Sequence, residues 1–174
     1  MKAFIFATVL AVLSVLMPMH SQADTGIQEF RRGSWQGILK AHAGRPTMVH
    51  FWGVTCGPCK VELPLLGAFL KEEPRLDVVM ISADLVPSMR DATLTMLKNA
   101  GLDNTENWIF SDGFVERLRF EIDPAWQGDI PRTVLISRDG AVTTVEGTID
   151  IADLKRWLDQ QTVAGERPTA AARN

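Results

Sequence analysis

Two short apolar runs predict strands at the centre of a sheet. Residues 47–52 (TMVHFW) and 76–83 (LDVVMISA) are rich in β-branched and aromatic side chains. A near-continuous apolar run of this length is typical of a strand that is covered on both faces, as strands are in a parallel sheet. We therefore expect two fully buried strands in the interior of the protein.

Apolar residues at helical spacing predict the segments that separate the strands. Residues from Gly57 to about Glu73 form one predicted helix, in which Pro64 predicts a kink. Residues 87–100 and 151–160 form two more, each with an apolar stripe at three- and four-residue intervals. The shorter predicted elements are, in chain order, a strand at 27–30, a helix capped by Ser34 that ends near Gly44, a strand at 108–110 and a helix at 114–120.

A hairpin near the C-terminus completes the predicted sheet. Strands at 132–137 and 141–147 are separated by Asp139-Gly140, a dipeptide typical of tight β-turns. Strands that alternate with helices earlier in the chain imply parallel pairing, and the hairpin adds an antiparallel edge. The predicted fold class is α/β, a three-layer sandwich in which a mixed central sheet carries helices on both faces.

The first residues form a separate unit. Lys2 precedes the almost wholly apolar segment 3–17, Pro18 interrupts that segment, and Ser-Gln-Ala at 21–23 has small residues where an export peptidase reads the chain. This layout predicts a secretory signal peptide at residues 1–23. An uncleaved membrane anchor is the alternative, although the apolar run is shorter than the roughly 20 residues of a membrane-spanning helix.

Composition supports one folded domain and excludes one class of partner. Of the 174 residues, 46% are hydrophobic, which is enough for a full core. A single domain is therefore predicted at residues 24–161, with a disordered tail at 162–174. The chain has 18 basic and 21 acidic residues, a formal net charge of −3, and no cluster of Lys or Arg. A nucleic-acid partner is therefore not expected.

The two cysteines, Cys56 and Cys59, carry the candidate chemistry. Exported domains stabilised by disulfides usually have more cysteines at wider spacing, and a bridge that closes so small a loop adds little stability. The disulfide between these two cysteines is better suited to forming and breaking during a reaction than to stabilising the fold. It lies where a buried strand gives way to a helix, and unpaired N–H groups and the dipole at a helix N-terminus favour a thiolate. Cys56 is thus the candidate nucleophile, and Cys59, almost one turn later, is the candidate resolving thiol.

Metal binding is the alternative to redox chemistry, and it needs further ligands. Half of a zinc site would require two more, and the chain after residue 23 offers His42 and His50 but no further cysteine. A copper-handling role would use soft methionine ligands, although core packing explains the same residues. These methionines are Met48, Met80, Met89 and Met96. No cofactor and no resident metal are expected.

Three segments resemble one known superfamily. Residues 51–60 (FWGVTCGPCK) resemble the active-site segment of thioredoxin, and Val-Glu-Leu-Pro at 61–64 resembles the TlpA branch of exported, often membrane-tethered thioredoxin-like reductases. Residues 129–136 (DIPRTVLI) resemble the cis-proline segment of the same superfamily. The resemblance covers residues 27–160 and implies a thioredoxin-like three-layer sandwich.

The resemblance also implies roles for residues outside the cysteine pair. It implies that Ile130-Pro131 is a cis peptide that faces the cysteines and whose backbone can pair with an extended client. An ordinary trans proline at the start of an edge strand is the alternative. Trp126 lies in a segment longer than in thioredoxin, and insertions in this branch usually lie on the substrate face. The residues expected to contact a client are Trp52, Gly57, Pro58, Ile130 and Trp126.

His50 departs from the thioredoxin pattern, which has a buried acid at the matching position. Histidine exchanges a proton near neutral pH, so His50 is a candidate to assist Cys59. A core histidine that is hydrogen-bonded to the backbone is the alternative. Glu62, three residues after Cys59, is a second candidate catalytic residue by family pattern, and a solvent-facing position is its alternative.

The resemblance implies a thiol–disulfide oxidoreductase, and the Gly-Pro dipeptide between the cysteines matches thioredoxin, whose potential is low, about −270 mV. We therefore expect a periplasmic reductase of oxidised exported proteins, such as apocytochrome haem-binding or copper-assembly thiols, that a membrane electron donor recharges. The alternatives are a disulfide oxidase or isomerase on the same fold and a copper-binding assembly factor. A peroxidase is disfavoured because Pro58 and Cys59 follow Cys56.

Overall fold

The computed structural model describes residues 26–84 and 89–165, with side chains as far as Gln161. The predicted signal peptide at 1–23 and residues 166–174 of the predicted tail lie outside this part of the chain. Among the residues described, no helix combines the length and the apolar character needed to cross a bilayer.

Within the described residues, the central sheet has six strands, and five helices cover it. The strands are β1 (Gln28–Phe30), β2 (Thr47–Trp52), β3 (Asp77–Ser82), β4 (Glu106–Phe110), β5 (Arg132–Ile136) and β6 (Val142–Glu146). The helices are α1 (Ser34–Ala41), α2 (Gly57–Glu72), α3 (Arg90–Ala100), α4 (Val115–Ile122) and α5 (Ile151–Gly165).

The strand order β1-β4-β3-β2-β5-β6 confirms the predicted mixed sheet. β1, β4, β3 and β2 pair in parallel, so their carboxyl ends meet at one edge. β5 pairs antiparallel with β2, and β6 pairs antiparallel with β5 as the predicted hairpin. The start of β5 therefore lies at the same edge as the end of β2. The residues that follow β3 and those that precede β5 therefore lie close to the loop that contains Cys56.

Alternation along β2 divides the core into two layers. Met48 and Trp52 lie on the face covered by α2, α3 and α5, whereas Val49 and Phe51 lie on the opposite face, against α1 and α4. His50 shares the face of Met48 and Trp52 because side chains alternate with a period of two. A histidine is thus directed into the apolar layer beneath α2.

The predicted elements are present, although most of their boundaries differ by one or more residues. Ser34 is the first residue of α1 and not its cap; Gly33, with φ of 85°, precedes the helix, and the Ser34 hydroxyl accepts the Arg31 N–H at 2.9 Å. The helix predicted over 87–100 begins at Arg90 within the described residues. The closing helix continues to Gly165, past its predicted end at 160, so the predicted tail begins too early.

Gly67 allows α2 to pack closely against α3, and we expect Gly67→Ala to destabilise the fold. A Cβ at Gly67 would lie 1.8 Å from the carbonyl oxygen of Ala100, so the two helices would have to separate. Overpacking of this kind costs about 1–3 kcal/mol. Gly37→Ala in α1 is the matched control, since nothing lies within 4 Å of its Cβ, and it should stabilise the helix by about 0.5–1 kcal/mol. Urea unfolding of both variants measures the difference; equal effects would contradict this account.

Candidate active site

Cys56 and Cys59 form a disulfide at the N-terminus of α2. Cys56 is the N-cap residue and is 8% exposed, whereas Cys59 is fully buried. Pro58 occupies the first turn, where its missing N–H removes no helical hydrogen bond. Gly57 and Pro58 are exposed beside the pair. One sulfur is thus at the surface and the other beneath it.

The surroundings of the Cys56 sulfur favour a negative charge when the disulfide is open. The Cys59 backbone N–H donates to Cys56 Sγ at 3.2 Å, and the sulfur lies at the positive end of the α2 dipole. Hydrogen bonds to the charged form and a helix N-terminus both stabilise a thiolate. The arrangement therefore suits Cys56 to nucleophilic attack on a disulfide.

The proline segment lies directly against this sulfur. The Ile130–Pro131 peptide bond is cis, as predicted, and the Ile130 carbonyl oxygen is 3.6 Å from Cys56 Sγ. The Pro131 carbonyl oxygen accepts the Gly147 N–H at 2.9 Å, which ties the segment to the hairpin. Ile130 is half-buried and Pro131 is buried. The predicted meeting of the two motifs is present.

Arg132 and Trp126 support this segment from inside the protein. The buried Arg132 guanidinium donates to Asp123 and, at 2.5 Å, to Glu146, and it lies 5.3 Å from the centre of the Trp126 ring. Trp126 donates its indole N–H to the Asp129 carbonyl at 2.9 Å. Arg132 was not predicted as a site residue, although a charged residue that opens an apolar strand was a usable signal.

Two residues expected to contact a client, Trp126 and Trp52, have buried rings. Trp126 is 6% exposed and packs on Phe51 with ring centres 4.8 Å apart, on the face of the sheet away from α2. Trp52 is 0% exposed and belongs to the layer that contains both cysteines. In this structure both tryptophan rings pack inside the protein. Among the described residues, the Trp52 indole N–H has no hydrogen-bond partner.

A buried polar pair, His50 of β2 and Glu62 of α2, lies between this strand and this helix. His50 Nδ1 is hydrogen-bonded to the Thr133 hydroxyl at 2.9 Å, so its partner is a side chain and not the backbone. Glu62 is 3% exposed and accepts the Ile149 N–H at 2.6 Å through Oε1. His50 Nε2 and Glu62 Oε2 face each other at 3.6 Å, and neither atom has a hydrogen-bond partner among the described residues.

Burial shifts the proton affinities of this pair in opposite directions. Desolvation lowers the pKa of His50 to about 3, so the imidazole is neutral at physiological pH. Desolvation raises the pKa of Glu62, and the hydrogen bond from Ile149 partly offsets that rise. A raised pKa makes a carboxylate a better acceptor of a thiol proton, whereas a lowered pKa makes an imidazole a poorer one. Glu62 therefore has the more suitable protonation behaviour.

Asp84 is a site residue that was not predicted from the sequence. Its carboxylate accepts the backbone N–H groups of Val54, at 2.5 Å, and Thr55, at 3.2 Å, in the turn that leads to Cys56. The signal was its position just after the strand predicted at 76–83, since polar residues at the carboxyl ends of neighbouring parallel strands meet at one edge.

The residues considered as metal ligands lie in different parts of the fold. His42 lies at the opposite edge of the sheet, with its ring nitrogens 3.0 Å from the carboxylates of Asp77 and Glu106. Met48 and Met80 are fully buried in the core. Within the described residues, no group of three or more His, Cys, Asp or Glu side chains is arranged to hold a metal ion.

Comparisons with known proteins support the same chemistry. No protein-family model matches the chain. The chain is 25% identical over 135 residues to sporulation thiol-disulfide oxidoreductase A of Bacillus subtilis (strain 168), a match that covers 72% of this chain and 73% of that protein.

Solved structures share the fold. A secreted disulfide oxidoreductase of Mycobacterium tuberculosis, described as homologous to E. coli DsbE, superposes with a TM-score of 0.54 and 22% identity over 72% of this chain and 85% of that chain. A thiol:disulfide interchange protein of the thioredoxin family from Chlorobium tepidum TLS superposes with a TM-score of 0.55 and 21% identity over 71% of this chain and 83% of that chain. At these identities the likeness establishes the fold alone.

Because His50 stays neutral in the fold, we expect His50→Gln to reduce the acid sensitivity of the protein. Between pH 6.5 and about 3, the unfolded state binds a proton at this position that the folded state does not. Stability therefore falls as the pH is lowered through this window. The loss should be about 4 kcal/mol larger in the wild type than in the variant, at about 1.4 kcal/mol per unit of pKa difference. Urea unfolding from pH 7 to pH 3 measures both slopes, and identical slopes would contradict the expectation.

Proposed function

We propose that this chain is a thioredoxin-like thiol–disulfide oxidoreductase, and that it is an exported reductase that opens disulfides in other exported proteins. One observation carries the proposal. Cys56 Sγ lies at the N-terminus of α2, against the Cys59 N–H and the Ile130 carbonyl, and the Cys59 side chain is buried behind it. This geometry provides one thiol that can attack and a second that can resolve.

The proposed reaction transfers two electrons from the cysteine pair to the client. The Cys56 thiolate attacks one sulfur of the client disulfide; a mixed disulfide forms, and the other client sulfur leaves as a thiolate that takes up a proton. Cys59, once deprotonated, attacks Cys56 Sγ, which forms the Cys56–Cys59 disulfide and releases the second client thiol. The client disulfide is reduced and the cysteine pair is oxidised.

The client is proposed to bind along the segment before Pro131. Ile130 is half-buried, and its carbonyl oxygen faces the attacking sulfur, so an extended client strand can pair with this backbone. The exposed Gly57 and Pro58 form the opposite side of the contact, and their small size leaves room for a client chain.

Glu62 is proposed to take the proton of Cys59 during the resolving step. It lies three residues after Cys59 on α2 and has a pKa raised by burial. Glu62 also lines a surface cavity of about 670 Å³ beside Pro58, which provides a route to solvent for the proton. When Glu62 is protonated, its O–H can donate to the neutral Nε2 of His50, so His50 is proposed to hold the acid form.

Four further elements of the proposal concern the location, the potential, the electron donor and the clients. Residues 1–23 support export to the periplasm by cleavage of a signal peptide, and the Gly-Pro dipeptide supports a low potential. In an oxidising compartment the pair must be recharged by a membrane electron donor. Apocytochrome haem-binding thiols and copper-assembly thiols are the proposed clients. The similarity to a secreted disulfide oxidoreductase of Mycobacterium tuberculosis supports the location.

Removal of the resolving thiol should trap clients. In Cys59→Ser, Cys56 still attacks but the mixed disulfide cannot be released, so covalent complexes should accumulate and insulin reduction should fall by at least about 10²-fold. Mass spectrometry of the trapped complexes identifies the clients. Cys56→Ser is the matched control and should trap nothing. Complexes that form equally in both variants, or in neither, would contradict the assigned roles.

The direction of electron flow has its own test. We expect a potential near −270 mV for the Cys56–Cys59 pair, measured by equilibration with glutathione. A value above about −180 mV would identify an oxidase or isomerase on the same fold. Copper titration of the wild type and of a variant without both cysteines tests the assembly-factor alternative, which requires tight binding that depends on the two sulfurs.

A further inference from the structure

The Asp84 carboxylate accepts four hydrogen bonds close to the reactive cysteine. Two bonds come from the backbone N–H groups of Val54 and Thr55, a third comes from the Thr55 hydroxyl at 2.9 Å, and a fourth comes from the Ser82 hydroxyl at 3.2 Å. Asp84 follows β3, whereas the turn follows β2, so these bonds join the ends of two neighbouring strands. Few side chains other than a carboxylate can accept so many donors at once.

The turn held by Asp84 sets the position of Cys56. The Cys56 N–H donates to the Gly53 carbonyl at 3.2 Å, which closes a four-residue turn whose two central N–H groups both bind Asp84. A Cβ at Gly53 would lie 2.7 Å from Asp84 Oδ1 and 2.9 Å from the Ile130 side chain. The absence of a side chain at Gly53 therefore lets Asp84, the turn and the proline segment meet.

This contact matters most when the disulfide is open. In the oxidised protein the covalent bond to Cys59 holds the Cys56 sulfur. In the reduced protein that bond is absent, and the sulfur must still point at the Cys59 N–H to be stabilised as a thiolate. Because Cys56 is the last residue of the turn, its side-chain direction then depends on the turn and on Asp84.

We propose that Asp84 is a positioning residue for the attacking sulfur: it holds the Gly53–Cys56 turn so that the reduced Cys56 sulfur keeps its hydrogen bond from the Cys59 N–H. The inference deepens the proposed function and rests on it, since it assumes that Cys56 is the nucleophile. It makes the end of β3 part of the reactive site.

Two effects of Asp84 on Cys56 have opposite signs, which makes the inference testable. Positioning favours the thiolate, so loss of the side chain should make Cys56 harder to ionise. The negative charge alone disfavours a nearby thiolate, so loss of the charge should make Cys56 easier to ionise. The direction of the change therefore distinguishes a positioning role from a simple charge effect.

The experiment is the pH profile of Cys56 alkylation by iodoacetamide in the reduced protein. In Asp84→Ala we expect the midpoint to move up by about one pH unit, which lowers the rate at a fixed pH below the midpoint about tenfold. Asp84→Asn keeps one acceptor oxygen and should lie between wild type and Asp84→Ala. Ser82→Ala is the matched control: it removes another donor to the same carboxylate but leaves the turn unchanged, and its midpoint should equal that of the wild type.

A midpoint for Asp84→Ala at or below that of the wild type would overturn the inference. If Asp84→Ala does not fold, Asp84→Asn decides, because a midpoint above the wild type cannot arise from loss of charge, and one at or below it contradicts positioning. Failure of the proposed function looks different. In that case Cys56 of the reduced wild type is itself inert or has the midpoint of an ordinary thiol, about 8.5.

Discussion

The parallel pairing of β2 with β3 is the constraint on which the site depends. The register runs from Thr47 opposite Asp77 to Trp52 opposite Ser82, so both strands end at the same level. The turn that leads to Cys56 therefore meets the residues that follow β3. A slip of one residue would reverse the faces of β2 and remove His50 from the layer beneath α2. The antiparallel β5 adds the third component, because it begins at the edge where β2 ends.

The polar groups beneath the disulfide contrast with those at the other end of the sheet. His42 has carboxylates 3.0 Å from both ring nitrogens, a fully partnered arrangement that needs no explanation beyond structure. His50 and Glu62 instead face each other with unpartnered atoms in a buried layer. Buried polar atoms without partners are destabilising, and they tend to be retained where they serve the chemistry. This contrast supports a role for His50 and Glu62 in the chemistry of the cysteine pair.

Local sequence patterns predicted an element well where one local signal, such as a run of residues suited to a buried strand, determined it. The strand at 47–52 was predicted with its observed bounds because six consecutive residues suited to a buried strand are followed by glycine. The Ser34 cap was wrong because Gly33 takes the left-handed conformation and starts the helix one residue earlier. Trp126 was expected to face a client at the surface, whereas its ring is buried. Nothing in a loop sequence shows which way a large ring packs. The Trp126 ring is buried because it packs against Phe51 of β2 and Arg132 of β5, two strands that only the folded sheet brings together.

The sequence alone determined the reactive pair and its local setting, because a Cys-x-x-Cys at a strand-to-helix junction involves only one helical turn. It also indicated the fold class, since alternation and helical spacing are local properties of the chain. The tertiary structure decided what surrounds the sulfur. The Ile130 carbonyl comes from 74 residues away and the Asp84 carboxylate from 30 residues after the turn's first central amide. Such meetings depend on strand order and register, which arise from the packing of the whole sheet and from no single segment.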